Sequence, residues 1–398
     1  MPLKKILLYH LIPLVIACSA LYYFKKPIDT HHSAQFPLEI KLLKDVHYID
    51  HFKDNILSEQ LALSVAFKKG IPVLFGSSEL TANHLRGLAQ NYFVKEQKSE
   101  FLAFGHAGFQ SFAVMTVLAA NRELLKNSRL TLIISPGWFE EQYCKGTSLP
   151  CFFEYCKPNY LFQIYNDKNL DKETRDYIFN YINGNYDKIS SPNSLIRLTS
   201  NEKNIFKKPF NYFYDRTLSY QYQTDAYLVS QRSIIEQLNR NKNHYDLHYH
   251  KENWDSLFSS SKAIFKTISN NNDIAVENSY YNKWLKDKPK KHLTAVSESK
   301  NQELNDFKAL VTFLKNNNIK PLFVITPLNY KAHENLDVMA PTMKIVSDIL
   351  KEGDFKTLDL FSTNLKNYED GILEDIMHPY DYGWYKIDKF IIDNYAKH

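Results

Sequence analysis

The hydrophobic and polar positions first mark a run from Ile6 to Phe24, nineteen residues without a charge, bracketed by Lys4-Lys5 and Lys25-Lys26. As a helix this run spans about 28 Å, close to the hydrocarbon thickness of a bilayer. Tyr9 near one end and Tyr22 and Tyr23 near the other suit the interfaces. The pattern predicts a membrane anchor over residues 1–26. A cleaved signal peptide is one alternative, although no small-x-small site ends the run. The stretch Val15-Ile16-Ala17-Cys18 resembles a lipoprotein processing site, yet the apolar run continues for six residues beyond Cys18. Lysine pairs on both flanks leave the orientation undecided by charge.

Residues 27–65 read as a polar juxtamembrane stretch leading into a helix. From about residue 66 the pattern changes to short, continuous apolar runs, each ending in a small or polar cluster. Pro72 to Phe75 runs into Gly-Ser-Ser-Glu, Phe101 to Phe104 into Gly-His-Ala-Gly, Leu130 to Ile134 into Ser-Pro-Gly-Trp, and Pro321 to Ile325 into Thr-Pro. Lys356 to Phe361 is a weaker fifth candidate. Continuous apolar strands suit a parallel sheet covered on both faces. Between them, Phe112 to Leu125 has helical spacing, and Leu304, Phe307, Leu310, Val311 and Leu314 form a core-facing stripe over Glu303 to Asn316. The alternation predicts an α/β domain over 66–398, a doubly wound parallel sheet with functional groups at the carboxyl ends of its strands. Residues of about 140–300, rich in Tyr, Phe, Asn and Lys, break the rhythm and read as a large, mostly helical insertion, with Tyr220 to Leu238 one of its helices.

Composition changes this picture at three points. The net charge of +5 is carried mostly by the four lysines of residues 1–26, which leaves 45 basic residues against 44 acidic ones. A general nucleic-acid or polyanion surface is therefore not expected, although a local patch remains open. Only 11 of 398 residues are glycine, well under the usual share of about 7%, so each glycine position carries information. Five of them, Gly76, Gly105, Gly108, Gly137 and Gly383, fall in the segments singled out here. Finally, Cys144, Cys151 and Cys156 lie within thirteen residues. Without a C-x-x-C pair or a nearby histidine a zinc site is disfavoured. A local disulfide in an oxidising compartment is the expectation, placing the domain outside the cytoplasm.

Candidate chemistry lies in two segments. Gly76-Ser77-Ser78-Glu79 follows a strand and can begin a helix, where Ser is also an ordinary cap. Asp375-Ile-Met-His378 offers a base with an orienting carboxylate on one turn, which a serine needs before it becomes a nucleophile. Either alone is weak. A strand-G-x-S turn near the start of an α/β domain with D-x-x-H near its end is the arrangement of SGNH hydrolases. That fold requires oxyanion donors after its second and third strands, where Gly105-His106-Ala107-Gly108 and Ser135-Pro136-Gly137-Trp138 stand.

The segments Phe75 to Leu80, Gly105 to Ser111 and Ile134 to Phe139, with Asp375, His378, Gly383 and Trp384, resemble the motifs of the DltD family. The resemblance covers most of the chain in order, with the insertion its least distinctive part. It implies a three-layer, SGNH- or flavodoxin-like parallel sheet with a large helical insertion, preceded by one transmembrane helix, and a catalytic domain on the extracytoplasmic face. It further implies the last step of D-alanine transfer onto teichoic acid or a related envelope polymer. The partners implied are a membrane-bound O-acyltransferase and the D-alanyl carrier protein. Carried over, Ser78 is nucleophile, His378 general base and acid, and Asp375 the residue that orients His378. Gly76, Gly105, His106, Gly108, Ser135 and Trp138 are expected to line the site, with the N–H groups of Ser78 and Gly108 as oxyanion donors. No cofactor or metal is expected. Departures from the family pattern are Pro379 to Tyr382 after the histidine, Gly137 in place of glutamine, and Thr326-Pro-Leu-Asn329, which only partly matches Pro-Val-Asn-Gly. These touch the acceptor rather than the triad. Two other readings stay open: an SGNH polysaccharide O-acetyltransferase or esterase, and a non-catalytic membrane-tethered scaffold for a D-alanyl carrier system.

Several further signals take structural readings. His244, His248 and His250 read as a histidine-rich face rather than a metal site. Glu79 reads as a first-turn helix acid, and Trp138 and Trp384 as packing residues around the site.

Overall fold

The structure, a computed structural model, describes residues 47–52, 56–189, 250–288 and 290–395, with isolated positions between 12 and 19. The apolar run Ile6 to Phe24 apart from those isolated positions, the helix expected over Tyr220 to Leu238, and His244 and His248 lie outside the described residues. No helix among those described is long and apolar enough to cross a membrane. The chain divides into two units, residues 1–45 with 202–243, and residues 46–201 with 244–398; nearly all described residues belong to the second.

That unit is built on a six-stranded sheet: β1 (Tyr48–Asp50), β2 (Val73–Gly76), β3 (Leu102–Gly105), β4 (Leu130–Ile134), β5 (Leu322–Ile325) and β6 (Thr357–Asp359). The order is β1-β3-β2-β4-β5-β6 and every pairing is parallel. The five strands expected from the apolar runs are all present. Setting the short β1 aside, the order is that of a flavodoxin-like sheet, with its switch point beside β2. Residues of β2 to β5 are buried throughout, as continuous apolar runs require when both faces are covered.

Alternation along the strands divides the core. Leu74, Ala103, Ile133 and Val324 pack with Leu88, Tyr92, Phe93, Trp384, Ile387 and Ile391. Phe75, Phe104 and Phe323 share the opposite register, where Phe75 and Phe104 have ring centroids 5.2 Å apart and Phe323 meets Phe307 at 6.4 Å. Each such fully buried side chain stabilises the fold by about 1.5–3 kcal/mol.

The helices follow from caps and stripes. They are α1 (Ile56–Lys69), α2 (Ser111–Ala120), α3 (Pro158–Asn166), α4 (Lys172–Gly184), α5 (Trp254–Ile268), α6 (Gln302–Asn316), α7 (Ala340–Glu352) and α8 (Asp381–Tyr395). The α6 stripe is buried as expected, and its start is set by Asn301, whose side chain accepts the N–H of Leu304 at 3.0 Å. Asp171 caps α4 in the same way through the N–H of Thr174 at 2.9 Å. The run expected as one helix over Phe112 to Leu125 is broken. α2 stops at Ala120, where Asn121 turns its side chain back onto the carbonyl of Val117, and a 3-10 segment, Arg122–Asn127, follows. Within 140–300, α3 packs on α2, α4 on α6, and α5 on α8, so the described parts of this region thicken the layers covering the sheet.

Candidate active site

The ends of β2, β3 and β4 come together at the switch point. After Gly76 the chain turns through Ser77 into a 3-10 segment, Ser78–Thr81. Glycine is required beside it. Gly105 has φ +153°, and a Cβ there would stand 1.8 Å from the carbonyl oxygen of Gly76, so only glycine lets the two strand ends approach.

Ser78 Oγ lies 2.8 Å from Nε2 of His378, and Nδ1 of His378 lies 2.7 Å from Oδ2 of Asp375. An ionised carboxylate can only accept, so Nδ1 carries the hydrogen and Nε2 is left to take the serine proton. The second Asp375 oxygen accepts the backbone N–H groups of Met377 and His378, each at 2.8 Å. One carboxylate thus shapes its own turn and orients the ring.

The electrostatics follow from the same contacts. Burial pushes the Asp375 carboxyl up, but the His378 ring and the two backbone donors outweigh it, and the group falls below the usual carboxylate range. Burial pushes His378 down, while its bond to Asp375 and the charges of Asp375, Glu79 and Glu374 outweigh that and raise it above its ordinary value. Glu374, half-buried, is pushed up to about 7 by desolvation and by the neighbouring Asp375 charge, and its Oε2 lies 3.1 Å from Nε2 of His84.

Residues given no part in the site by the sequence hold these pieces in place. Glu79 is 4% exposed and accepts the N–H of Ser77 at 2.7 Å, and burial raises its carboxyl. It is thus the first-turn acid expected of it, and as a buried side chain it also braces the turn that carries Ser78. Asn329, fully buried after β5, donates to the carbonyls of Ile274, Ala275 and Asp375 at 3.0, 3.3 and 3.3 Å. Its side-chain oxygen accepts from Lys331 and Ala332, and its own N–H reaches the carbonyl of Ile376 at 3.0 Å. The β5 loop is thereby tied to the Asp375–His378 turn. The Thr326-Pro-Leu-Asn segment was the available signal, since its asparagine matched the family pattern.

The expected lining residues separate into two groups. Ser135 and Trp138 are buried in the turn after β4, and Gly137 faces Met377, with the Met377 methyl 3.7 Å from where a Cβ would stand. Gly108 behaves differently from expectation. Its N–H donates to Ser77 Oγ at 3.0 Å, and that hydroxyl donates to the carbonyl of His106, so the Gly108 donor braces the nucleophile turn. The His106 ring faces the end of β1, with Nδ1 2.8 Å from Asp50 Oδ1 and the ring stacked on Phe52 at 4.8 Å. Trp384 is fully buried in the core. Gly383 allows its helix to approach the chain at Ile372, whose carbonyl would lie 2.3 Å from a Cβ.

The expected disulfide is not formed: Cys144, Cys151 and Cys156 are free thiols. Cys151 and Cys156 flank a single turn of helix, Phe152–Tyr155, and Cys156 is fully buried, with Thr116 Oγ1 3.9 Å from its sulfur. Cys144 instead turns its thiol to the carbonyl of Glu141 at 3.6 Å. No group of three or more histidine, cysteine, aspartate or glutamate side chains that could hold a metal ion exists among the described residues.

Comparison with known proteins places the chain. No curated protein matches it. A family model described as DltD protein matches residues 49–396. Nearly the whole chain, Ser78, Asp375 and His378 included, lies within that match; the chain belongs to the DltD family, and its role is in the D-alanylation of teichoic acid.

Proposed function

We propose that the protein is a membrane-anchored, extracytoplasmic serine acyltransferase that carries D-alanine as an ester on Ser78 and passes it to a hydroxyl of teichoic acid or a related envelope polymer. The observation that carries this reading is the hydrogen-bonded chain Ser78–His378–Asp375, at 2.8 and 2.7 Å. His378 Nε2 takes the Ser78 proton as Oγ attacks the carbonyl carbon of an activated D-alanyl donor. The negative charge on the carbonyl oxygen develops next to the N–H of Ser78, one of the two expected donors, while the N–H of the other, Gly108, is bonded to Ser77 Oγ. Collapse of the intermediate expels the donor's leaving group, which takes the proton from His378. A polymer hydroxyl then gives its proton to His378, attacks the ester, and the Ser78–acyl bond breaks with the proton returning to Oγ.

The membrane-bound O-acyltransferase of the system is the proposed source of the D-alanyl group, drawn from the D-alanyl carrier protein, with residues 1–26 as the anchor. Because Ser78, His378 and Asp375 form one hydrogen-bonded chain whose Ser78 and His378 are only half-buried, a polysaccharide O-acetyltransferase or esterase would use the same machinery with another acyl group. A phosphonate probe of serine nucleophiles tests the assignment. Covalent labelling is expected at Ser78, absent in Ser78→Ala and strongly slowed in His378→Ala. Labelling of Ser78→Ala equal to wild type would refute it.

A further inference from the structure

One segment carries a charge that the triad does not use. Between Lys283 and Lys291 five of nine residues are lysine, Lys283, Lys286, Lys288, Lys290 and Lys291, against the single acid Asp287. All five are exposed. None forms an ion pair among the described residues, whereas Lys262, Lys331, Lys344, Lys386 and Lys389 are each held by a carboxylate. Trp284, 62% exposed, stands among them with Lys283 Nζ 4.8 Å from its ring centroid. Outside residues 1–26 the chain is nearly neutral, so this is a local concentration rather than a general basicity.

The segment is tied to the active site from both sides. Leu285 is fully buried with Ile376, and Met377 packs on the same cluster, so the strip rests on the turn that carries His378. The N–H of Lys291 donates to the carbonyl of Ala332 at 2.8 Å, and Ala332 in turn bonds to Asn329. On the other side the N–H of Glu141, just past the β4 turn, donates to the carbonyl of Thr294 at 3.0 Å. Exposed lysine runs are commonly mere solvated surface. This one is fixed to the two loops, after β4 and β5, that border the triad.

We propose that Lys283 to Lys291 with Trp284 is the acceptor site, binding the phosphodiester backbone of a polyol-phosphate polymer and presenting its hydroxyls to Ser78. The inference rests on the D-alanyl-transfer reading. Five unpaired ammonium groups along an exposed segment match a chain of regularly spaced monoanions, and release of the polymer's counter-ions supplies the attraction. The exposed indole face packs against the uncharged polyol between phosphates. Each D-alanyl ester adds an ammonium beside a phosphate, so the modified polymer is held less tightly and leaves.

The test is binding of soluble polyglycerol phosphate to the full chain in detergent, on the Ser78→Ala background, so that it requires no serine chemistry. The combined Lys286→Glu, Lys288→Glu, Lys290→Glu variant is compared with Lys315→Glu, Lys351→Glu, Lys356→Glu, which changes net charge equally on exposed lysines elsewhere. The first variant is expected to bind at least about tenfold more weakly, with a salt dependence shallower by about 2 to 3 in the log–log slope. The second is expected to bind as the parent does, and both to melt at the parent temperature. Equal weakening by the two variants, or none by either, overturns the site. So does lysine-dependent binding to phosphatidylglycerol vesicles without binding to the polymer, which would make the strip a membrane contact. Loss of folding in the first variant is replaced by Lys286→Gln, Lys288→Gln, Lys290→Gln, with the same expected direction.

Discussion

Ser78 Oγ and His378 Nε2 stand 2.8 Å apart although 300 positions separate them in the chain. The contact joins the turn after β2 to the last turn before α8, so the serine and the histidine meet only in the finished fold. Asp375, three residues from His378, supplies charge and orientation locally.

The pH profile follows from that pair. Catalysis needs neutral His378, and Asp375 raises the imidazole, so activity is expected to rise with pH through a midpoint above the ordinary imidazole value. In Asp375→Asn the Asn oxygen can still accept the Met377 and His378 N–H groups, but the raising charge is gone. The rising limb should move to lower pH, and turnover should fall by about four orders of magnitude through the wrong tautomer. A pH series of transfer rates for both proteins checks this; an unmoved limb would remove Asp375 from its role.

Asn329→Ala leaves buried carbonyls of Ile274, Ala275 and Asp375 without their donor and the Lys331 N–H without its acceptor. A loss of about 2–4 kcal/mol in urea unfolding is expected. Residual folded enzyme should show reduced turnover with little change in acceptor KM. Unchanged stability would mean the asparagine is not the tie between the two loops.

Glu79→Gln keeps an acceptor for the Ser77 N–H, whereas Glu79→Ala removes it. Turnover should survive the first change and fall at least about tenfold in the second, since a misplacement of the nucleophile by about 1 Å is costly. Equal activity of the two variants would assign Glu79 no part in holding the turn.

A stability effect lies away from the triad. Asp306 is fully buried on α6 and accepts from Tyr177 and Gln302 through one oxygen, while burial pushes its carboxyl up to about 7. A group raised in the folded state contributes stability that is present at low pH and lost as pH rises through the folded value. The melting temperature should therefore decline between about pH 4 and 7, and less steeply in Asp306→Asn. Parallel curves for the two proteins would contradict the buried ionisation.

The strands were legible because each is a continuous apolar run ending in a small-residue cluster, and the grouping of Ser78, His378 and Asp375 because a serine, a histidine and an acid stand at motif positions that the fold brings together. β1 was not, being three residues, Tyr48-Ile-Asp50, paired on one side at a sheet edge. The break of α2 at Asn121 depends on a side chain reaching back to the carbonyl of Val117, which spacing does not encode. Asn329 was signalled only by its partial match to the family pattern, and Ser77 finds its partners on backbone groups distant in sequence, so no pattern of residue types announces it. The Gly108 donor was misassigned for the same reason: its partner, Ser77, sits beside the expected nucleophile rather than in its own motif. The lysine strip was hidden by a nearly neutral total.

The central claim is that Ser78 carries the acyl group, and envelope-bound D-alanine ester tests it most directly, measured in cells with wild-type protein, Ser78→Ala at equal abundance, or no copy. The account predicts that Ser78→Ala loses the ester to the same extent as the deletion. Full D-alanine ester with Ser78→Ala would contradict it and leave a scaffold in place of an enzyme.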